Sequence, residues 1–362
     1  MIGWGDVYKV VGGMAPLYFA LGLGYCSVRR WKLYTRDQCD ALNHLATYFA
    51  VPFFAFDLAV RMDPYALNYR VLAADALSKL VIVLALAAWA IIAWTTRCGG
   101  AGGSGRDREF VSSWCITGYS LTALNNSLVV GVPLMEGMFG EWGRNPIVQI
   151  SVPQFVFYFP LLLLAFEVRR ASGGAWKPGE DVQARDDVEG GLEERRPEVL
   201  IWPLLRVVLL NMTRNPSVYA GVLGVAWSCV THRWHIETPS IIEGSVLIIS
   251  RTGLGLRMFS IGQFMALQER IIACGTSLTA LGMVLRFIAG PAATAAAAAA
   301  LGLRGDVLRA TIIQAALPQS ITAFGYARVY GLHADVLSTG VIFGTLVSLP
   351  VLILYNIALG FV

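Results

Sequence analysis

Charge is scarce in this chain. Asp, Glu, Lys and Arg make up only 14% of its 362 residues, against about 25% in a soluble globular domain. So few charges cannot cover a water-soluble surface of this size. Cysteine is sparse as well. Cys26, Cys39, Cys98, Cys115, Cys229 and Cys274 form no Cys-x-x-Cys pair and lie mostly in or beside apolar segments, which favours packing over a disulfide or metal role. No Gly-rich loop follows a strand, and no nucleophile, zinc or phosphate-loop constellation occurs, so nothing points to an enzyme or to a cofactor. His232 and His235 lie three apart in a link beside Arg233 and Trp234, which is a weak basis for a metal site. The net charge of +4 comes without a dense basic patch interleaved with aromatics, so no nucleic-acid partner is implied.

Apolar residues fill the space that charge leaves. They amount to 56% of the chain, with a mean hydropathy of +0.59. The class is integral membrane, with lipid as a partner. A spanning helix needs about 20 mostly apolar residues. Ten such stretches fit, near residues 7–25, 41–60, 71–94, 110–135, 147–166, 217–231, 241–264, 277–301, 307–326 and 336–359. The first has no small-residue cleavage site after a short core, so it reads as a span and not as a signal peptide. Residues 168–198 are polar and Gly-rich, a hydrophilic loop between two halves, 1–167 and 199–362. Residues 199–212 read as a slanted or amphipathic helix leading into the sixth span. The alanine run 291–300 reads as a packing surface.

Five spans on each side of the loop make an inverted repeat. Lys and Arg concentrate at Arg29, Arg30, Lys32 and Arg36, at Arg97, Arg106 and Arg108, and in the central loop. Those links face the cytosol, and both termini face away from it.

Polar residues inside spans mark the candidate site. The fourth segment of each half is interrupted: Thr122 through Ser127 in the first, and Gln314 with Leu317 through Thr322 in the second. Matched interruptions are the best sequence pointer to a transport site. A half-helix beginning at Asn125-Asn126 aims free N–H groups and a positive dipole end at the membrane centre. A carboxylate is expected to be stabilised there without any fixed positive charge. Asp75 and Lys79 share one helix face at i, i+4, either as a proton-titrating pair or as a polar docking point for substrate. Gln149 and Gln154 either line the same cavity or bond to neighbouring helices. Asp57 and Glu136 read as interfacial.

Several stretches resemble the plant PIN-FORMED auxin efflux carriers: "AVPFFAF", "AADALSKL", "NNSLVVGVPL", "TRNPSVY", "FMALQERIIACG", "GLRGDVLRATIIQAALPQ" and "LSTGVIFG". The resemblance covers nearly the whole chain except the central loop. It implies an all-α membrane fold like that of NhaA and the bile acid sodium symporters, with ten helices in two inverted repeats. Broken helices four and nine cross at the midplane. Spans one, two, six and seven form a scaffold, and spans three to five and eight to ten a transporter domain that moves as an elevator. It further implies a homodimer that exports the indole-3-acetic acid anion, and a part in auxin signalling. The loop of about 30 residues resembles the short members, located in the endoplasmic reticulum and not the plasma membrane.

Carried over by motif, Val51, Asn126, Leu128 and Ile321 contact substrate. Gln149 and Ser217 join them, and Asp75 with Lys79 form a support site. The crossover positions are Asn125, Pro318 and Ala323. Asn125 stands where long members carry a proline. Ser320-Ile321-Thr322-Ala323 replaces Gly-Ile-Val-Pro, and Asn215-Pro216-Ser217 replaces Asn-Pro-Asn. The rival expectations are an ion-coupled symporter of another organic anion, a receptor, and a membrane enzyme.

Overall fold

A computed structural model of the chain describes residues 4–98, 105–171, 216–268 and 272–360, together with Arg206 and Arg270. Every regular element among them is a helix. Apart from Arg206, the expected helix at 199–212 lies outside the described residues, as do Asn215 and most of the loop at 168–198. Only the start of that loop is seen, as a continuation of the preceding helix to Ala171.

In chain order the helices are α1 (Trp4–Arg29), α2 (Arg36–Leu45), α3 (Val51–Val60), α4 (Tyr69–Cys98), α5 (Gly105–Ala123), α6 (Val132–Phe139), α7 (Glu141–Pro153) and α8 (Phe159–Ala171). After the central loop come α9 (Pro216–Trp234), α10 (Ser240–Leu267), α11 (Thr276–Val284), α12 (Gly290–Ala300), α13 (Gly305–Ala315), α14 (Ile321–Val329) and α15 (Ala334–Leu359). Among the described residues, five helical runs are long and apolar enough to cross a membrane: Val7–Arg29, Tyr69–Thr96, Glu141–Arg170, Thr276–Ala300 and Ala334–Leu359. The other predicted spans are helical too; most carry charges such as Asp57 and Arg257 or are interrupted, and 217–231 lies in the continuous helix α9.

Among the described residues four π-helical segments occur, at Ala46–Ala50, Ser127–Gly131, Gln154–Tyr158 and Leu285–Ala289. Each ends two residues before a proline: Pro52, Pro133, Pro160 and Pro291. Proline lacks the N–H that would bond the carbonyl four residues back, and its ring crowds that carbonyl. Widening the preceding turn to π geometry relieves the clash without ending the helix. Proline accompanies each widening but does not suffice for it, since Pro16 and Pro350 lie inside helices that stay α throughout.

α1 and α10 pack along their lengths. A Cβ on Gly24 would lie 2.0 Å from the Phe259 carbonyl oxygen, and one on Gly262 would lie 2.0 Å from that of Leu21. The two backbones touch because neither position carries a side chain. α3 packs on both α9 and α10. The alanine run of α12 packs on α4 and α13, burying Ala297 and Ala298. The main core joins Met14, Leu17, Phe54, Leu58, Leu128, Met258, Ile313 and Leu317. A second cluster gathers Leu121, Leu124, Phe159, Leu162, Phe324 and Val341. The two interrupted segments, 124–131 and 316–320, lie where these clusters meet.

Candidate functional site: the helix crossover

α5 stops at Ala123 and helix resumes at Ser127, giving the apolar helix Ser127–Phe139. α13 stops at Ala315 and α14 begins at Ile321. The two gaps meet in one antiparallel bridge between Asn125 and Gln319, the only isolated bridge among the described residues. Asn126 N donates to the Pro318 carbonyl at 2.9 Å, and Ser320 N donates to that of Leu124 at 3.4 Å. The first helix thus breaks with no proline between Ala123 and Ser127: bridging satisfies backbone groups that a continuous helix would have satisfied itself.

Side-chain amides complete the crossover by exchange. Asn125 Nδ2 donates to the Gln314 carbonyl at 2.7 Å, capping the end of α13. Gln319 Nε2 donates to the Ser120 carbonyl at 3.0 Å, capping the end of α5. Each interruption thus supplies the cap for the other helix. Gln154 pairs with the backbone of Asn125 on both sides: its Nε2 donates to the Asn125 carbonyl at 2.8 Å, and Asn125 N donates to its Oε1 at 3.4 Å. Its amide stands in for a neighbouring strand. Of the two roles open to Gln154, bonding to a neighbouring segment is the one seen. Gln149 also ties elements together, accepting from Asn68 N at 3.0 Å just before α4.

Arg286 was missed by sequence reasoning. It is 1% exposed. Nη1 donates to the carbonyls of Leu121, Thr122 and Leu124, at 3.2, 3.4 and 2.9 Å. Nη2 donates to that of Ala315. One guanidinium therefore grips the carbonyl ends of both broken helices. The expectation of a crossover with no fixed positive charge is corrected: those carbonyls carry partial negative charge and cannot reach water, so they recruit a cation. The available signal was an arginine inside an apolar run, Leu285-Arg286-Phe287-Ile288. Arg257 escaped notice in the same way; it is buried and donates to Asn43 Oδ1 at 2.9 Å and Thr47 Oγ1 at 2.7 Å.

Asp75 and Lys79 form a buried ion pair on one face of α4. Lys79 Nζ sits 5.6 Å from the centroid of the Tyr158 ring, and Gln314 Nε2 reaches Asp75 Oδ1 at 3.5 Å. The pair therefore joins the crossover through Gln314, which Asn125 caps. Asp57 is buried, bonded to Arg61 at 2.8 Å and to Ser250 at 2.9 Å. Glu136 is exposed.

A cavity of about 180 Å³ opens between α3, α9, the stretch 148–156 and Leu128. Ser151 and Ser217 are its only side chains with polar atoms. Of the residues expected at substrate, Leu128 and Ser217 line it. Val51 lies one turn before the lining residue Ala55 on α3. Asn126 and Ile321 are half-buried at the starts of the two resumed helices. The Asn126 side-chain amide makes no hydrogen bond among the described residues, and no side chain caps the helix that opens at Ser127. α14, by contrast, is capped by Ser320 Oγ, which accepts from Ala323 N at 3.4 Å. Ala323 is fully buried and Pro318 offers its carbonyl to the bridge.

Interrupted helices meeting inside an apolar bundle are the arrangement of a membrane transport protein. Residues 9–356 match the family model described as "Membrane transport protein". The chain is 67% identical to "Probable auxin efflux carrier component 5b" of Oryza sativa subsp. japonica and 50% identical to "Auxin efflux carrier component 5" of Arabidopsis thaliana, each over the whole of both chains. It is 34% identical to "Auxin efflux carrier component 8" of Arabidopsis thaliana over 98% of each. The chain belongs to the PIN-FORMED auxin efflux carrier family, whose members are integral membrane transport proteins.

Proposed function

We propose that this chain carries the indole-3-acetic acid anion out of the cytosol, with the carboxylate docked at the crossover. One observation carries the reading: the helix N-terminus at Ser127 is uncapped and opens beside an apolar cavity holding Leu128, Ser151 and Ser217. An uncapped N-terminus attracts an anion, and the free Asn126 amide adds a donor. The indole ring fills the apolar cavity, with Val51 and Ile321 at its margin. Gln149 acts through the packing of α7 on α4, and Asp75 with Lys79 supports the crossover from behind.

The chain forms ten spans in two inverted repeats, and two copies form a homodimer. α4 to α8 and α11 to α15 move as an elevator against α1, α2, α3, α9 and α10. The cavity lies between these two groups, as alternating access requires. The destination is the lumen of the endoplasmic reticulum. A membrane potential contributes about 2.3 kcal/mol per charge per 100 mV, and where the potential is small, concentration drives the flux.

The test is uptake of labelled indole-3-acetic acid by purified protein in liposomes, with benzoate as competitor. Asn126→Ala is expected to reduce uptake severely. Undiminished uptake removes this site, and uptake that vanishes when a sodium or proton gradient is collapsed favours an ion-coupled symporter.

A further inference from the structure

The crossover has a charge ledger, and Arg286 decides it. Each helix end carries roughly half an elementary charge, positive at the N-terminus and negative at the C-terminus. Two N-termini and two C-termini meet here, so the four ends sum to about zero. Asp75 and Lys79 cancel each other as an ion pair. Arg286 is 1% exposed and takes part in no ion pair among the described residues. Its Nη atoms hold the carbonyl ends of α5 and α13, and its Nε has no partner. Leu124, one of the carbonyls it binds, lies two residues before Asn126. The empty crossover therefore carries a net charge of about +1 in a region shielded from water. An isolated buried charge is costly until an opposite charge joins it.

We propose that Arg286 is the specificity-determining residue of the crossover, selecting a substrate with one negative charge over its neutral counterpart. The inference rests on the docking reading above. A monoanion brings the ledger to zero. A neutral amide of the same shape leaves the guanidinium uncompensated, and a dianion overshoots. Arg286 acts through the field it sets up and does not need to touch substrate.

The experiment compares binding of indole-3-acetic acid and the uncharged indole-3-acetamide to detergent-purified protein at neutral pH. The wild type is expected to prefer the acid by about tenfold to a hundredfold, the worth of one charge-assisted interaction. Arg286→Gln is expected to lose that preference by weakening the acid and leaving the amide nearly unchanged. Arg286→Lys keeps the charge and is expected to keep the preference even if it melts earlier. A merely structural role would weaken both ligands together. Equal binding of acid and amide by the wild type overturns the proposal whatever the variants do. So does a folded Arg286→Gln that retains wild-type preference, or a folded Arg286→Lys that loses it. Absence of any acid binding by the wild type overturns the docking reading instead, which separates the two failures.

Discussion

Replacing Gln154 with leucine tests how the crossover is held. The side chain is 3% exposed and bonds both the N–H and the carbonyl of Asn125. Leucine keeps the bulk and removes both partners. Hydrogen bonds between side chains in membranes average only about 0.6 kcal/mol, because the unfolded chain in lipid finds other partners. Backbone groups at a helix break have no such substitute in the folded state. Each one left unpaired and buried costs about 1–3 kcal/mol. The longer of the two bonds, at 3.4 Å, belongs at the low end of that range. Relief of the glutamine's own burial returns part of the loss. The sum is about 2–4 kcal/mol. Thermal melting of detergent-purified protein measures it, with Gln149→Leu as the control. Gln149 accepts from one backbone N–H only, and that N–H lies in the link before α4. Its loss is expected to cost about half as much. If Gln154→Leu melts with the wild type, the amide is not holding the break open and the reasoning fails.

Two further outcomes follow from buried or half-buried charge. Lys79→Met strands Asp75 inside α4 and is expected to cost about 3–5 kcal/mol, while the double variant Asp75→Asn with Lys79→Met recovers most of it; thermal melting of both is the measurement. His333 lies in the link before α15, sharing a 2.8 Å hydrogen bond with Thr117 Oγ1 and packing on Trp114 with ring centroids 4.5 Å apart. Burial, and then the charge of Arg169, holds its pKa below the ordinary histidine value. The unfolded chain therefore takes up the proton first, at about pH 6.5. The stability His333 contributes is present above that value and is lost as pH falls through its folded-state pKa. Melting temperature is expected to drop on acidification, and less so in His333→Gln.

Much of this fold is readable from residue order. Long apolar runs announced α1, α4, α7 with α8, α11 with α12, and α15, because spanning length is a simple requirement of lipid. The interruptions at Asn125 and Leu317 were legible for the same reason, since amides and proline are out of place in such runs. The π segments had a signal that went unused, a proline two residues downstream of each. The partners of the polar residues were not legible. Nothing near Asn125 in the chain says that its amide will cap Gln314, and nothing near Arg286 says that it will reach Leu121 and Ala315. Those pairings depend on how distant segments cross, which local pattern does not encode. Gln154 shows the limit well: one side of a helix was evident, but not the backbone it would meet.

The exchanged caps also bear on the order of assembly. The carbonyl that Asn125 caps lies 189 positions further along the chain, and the one Gln319 caps lies 199 positions back. A ribosome delivers the first interruption long before the second exists. Until then the Asn125 side chain has no carbonyl to cap, and only Gln154, 29 positions on, is present to hold the break. The crossover therefore closes last, once α13 and α14 have reached the membrane.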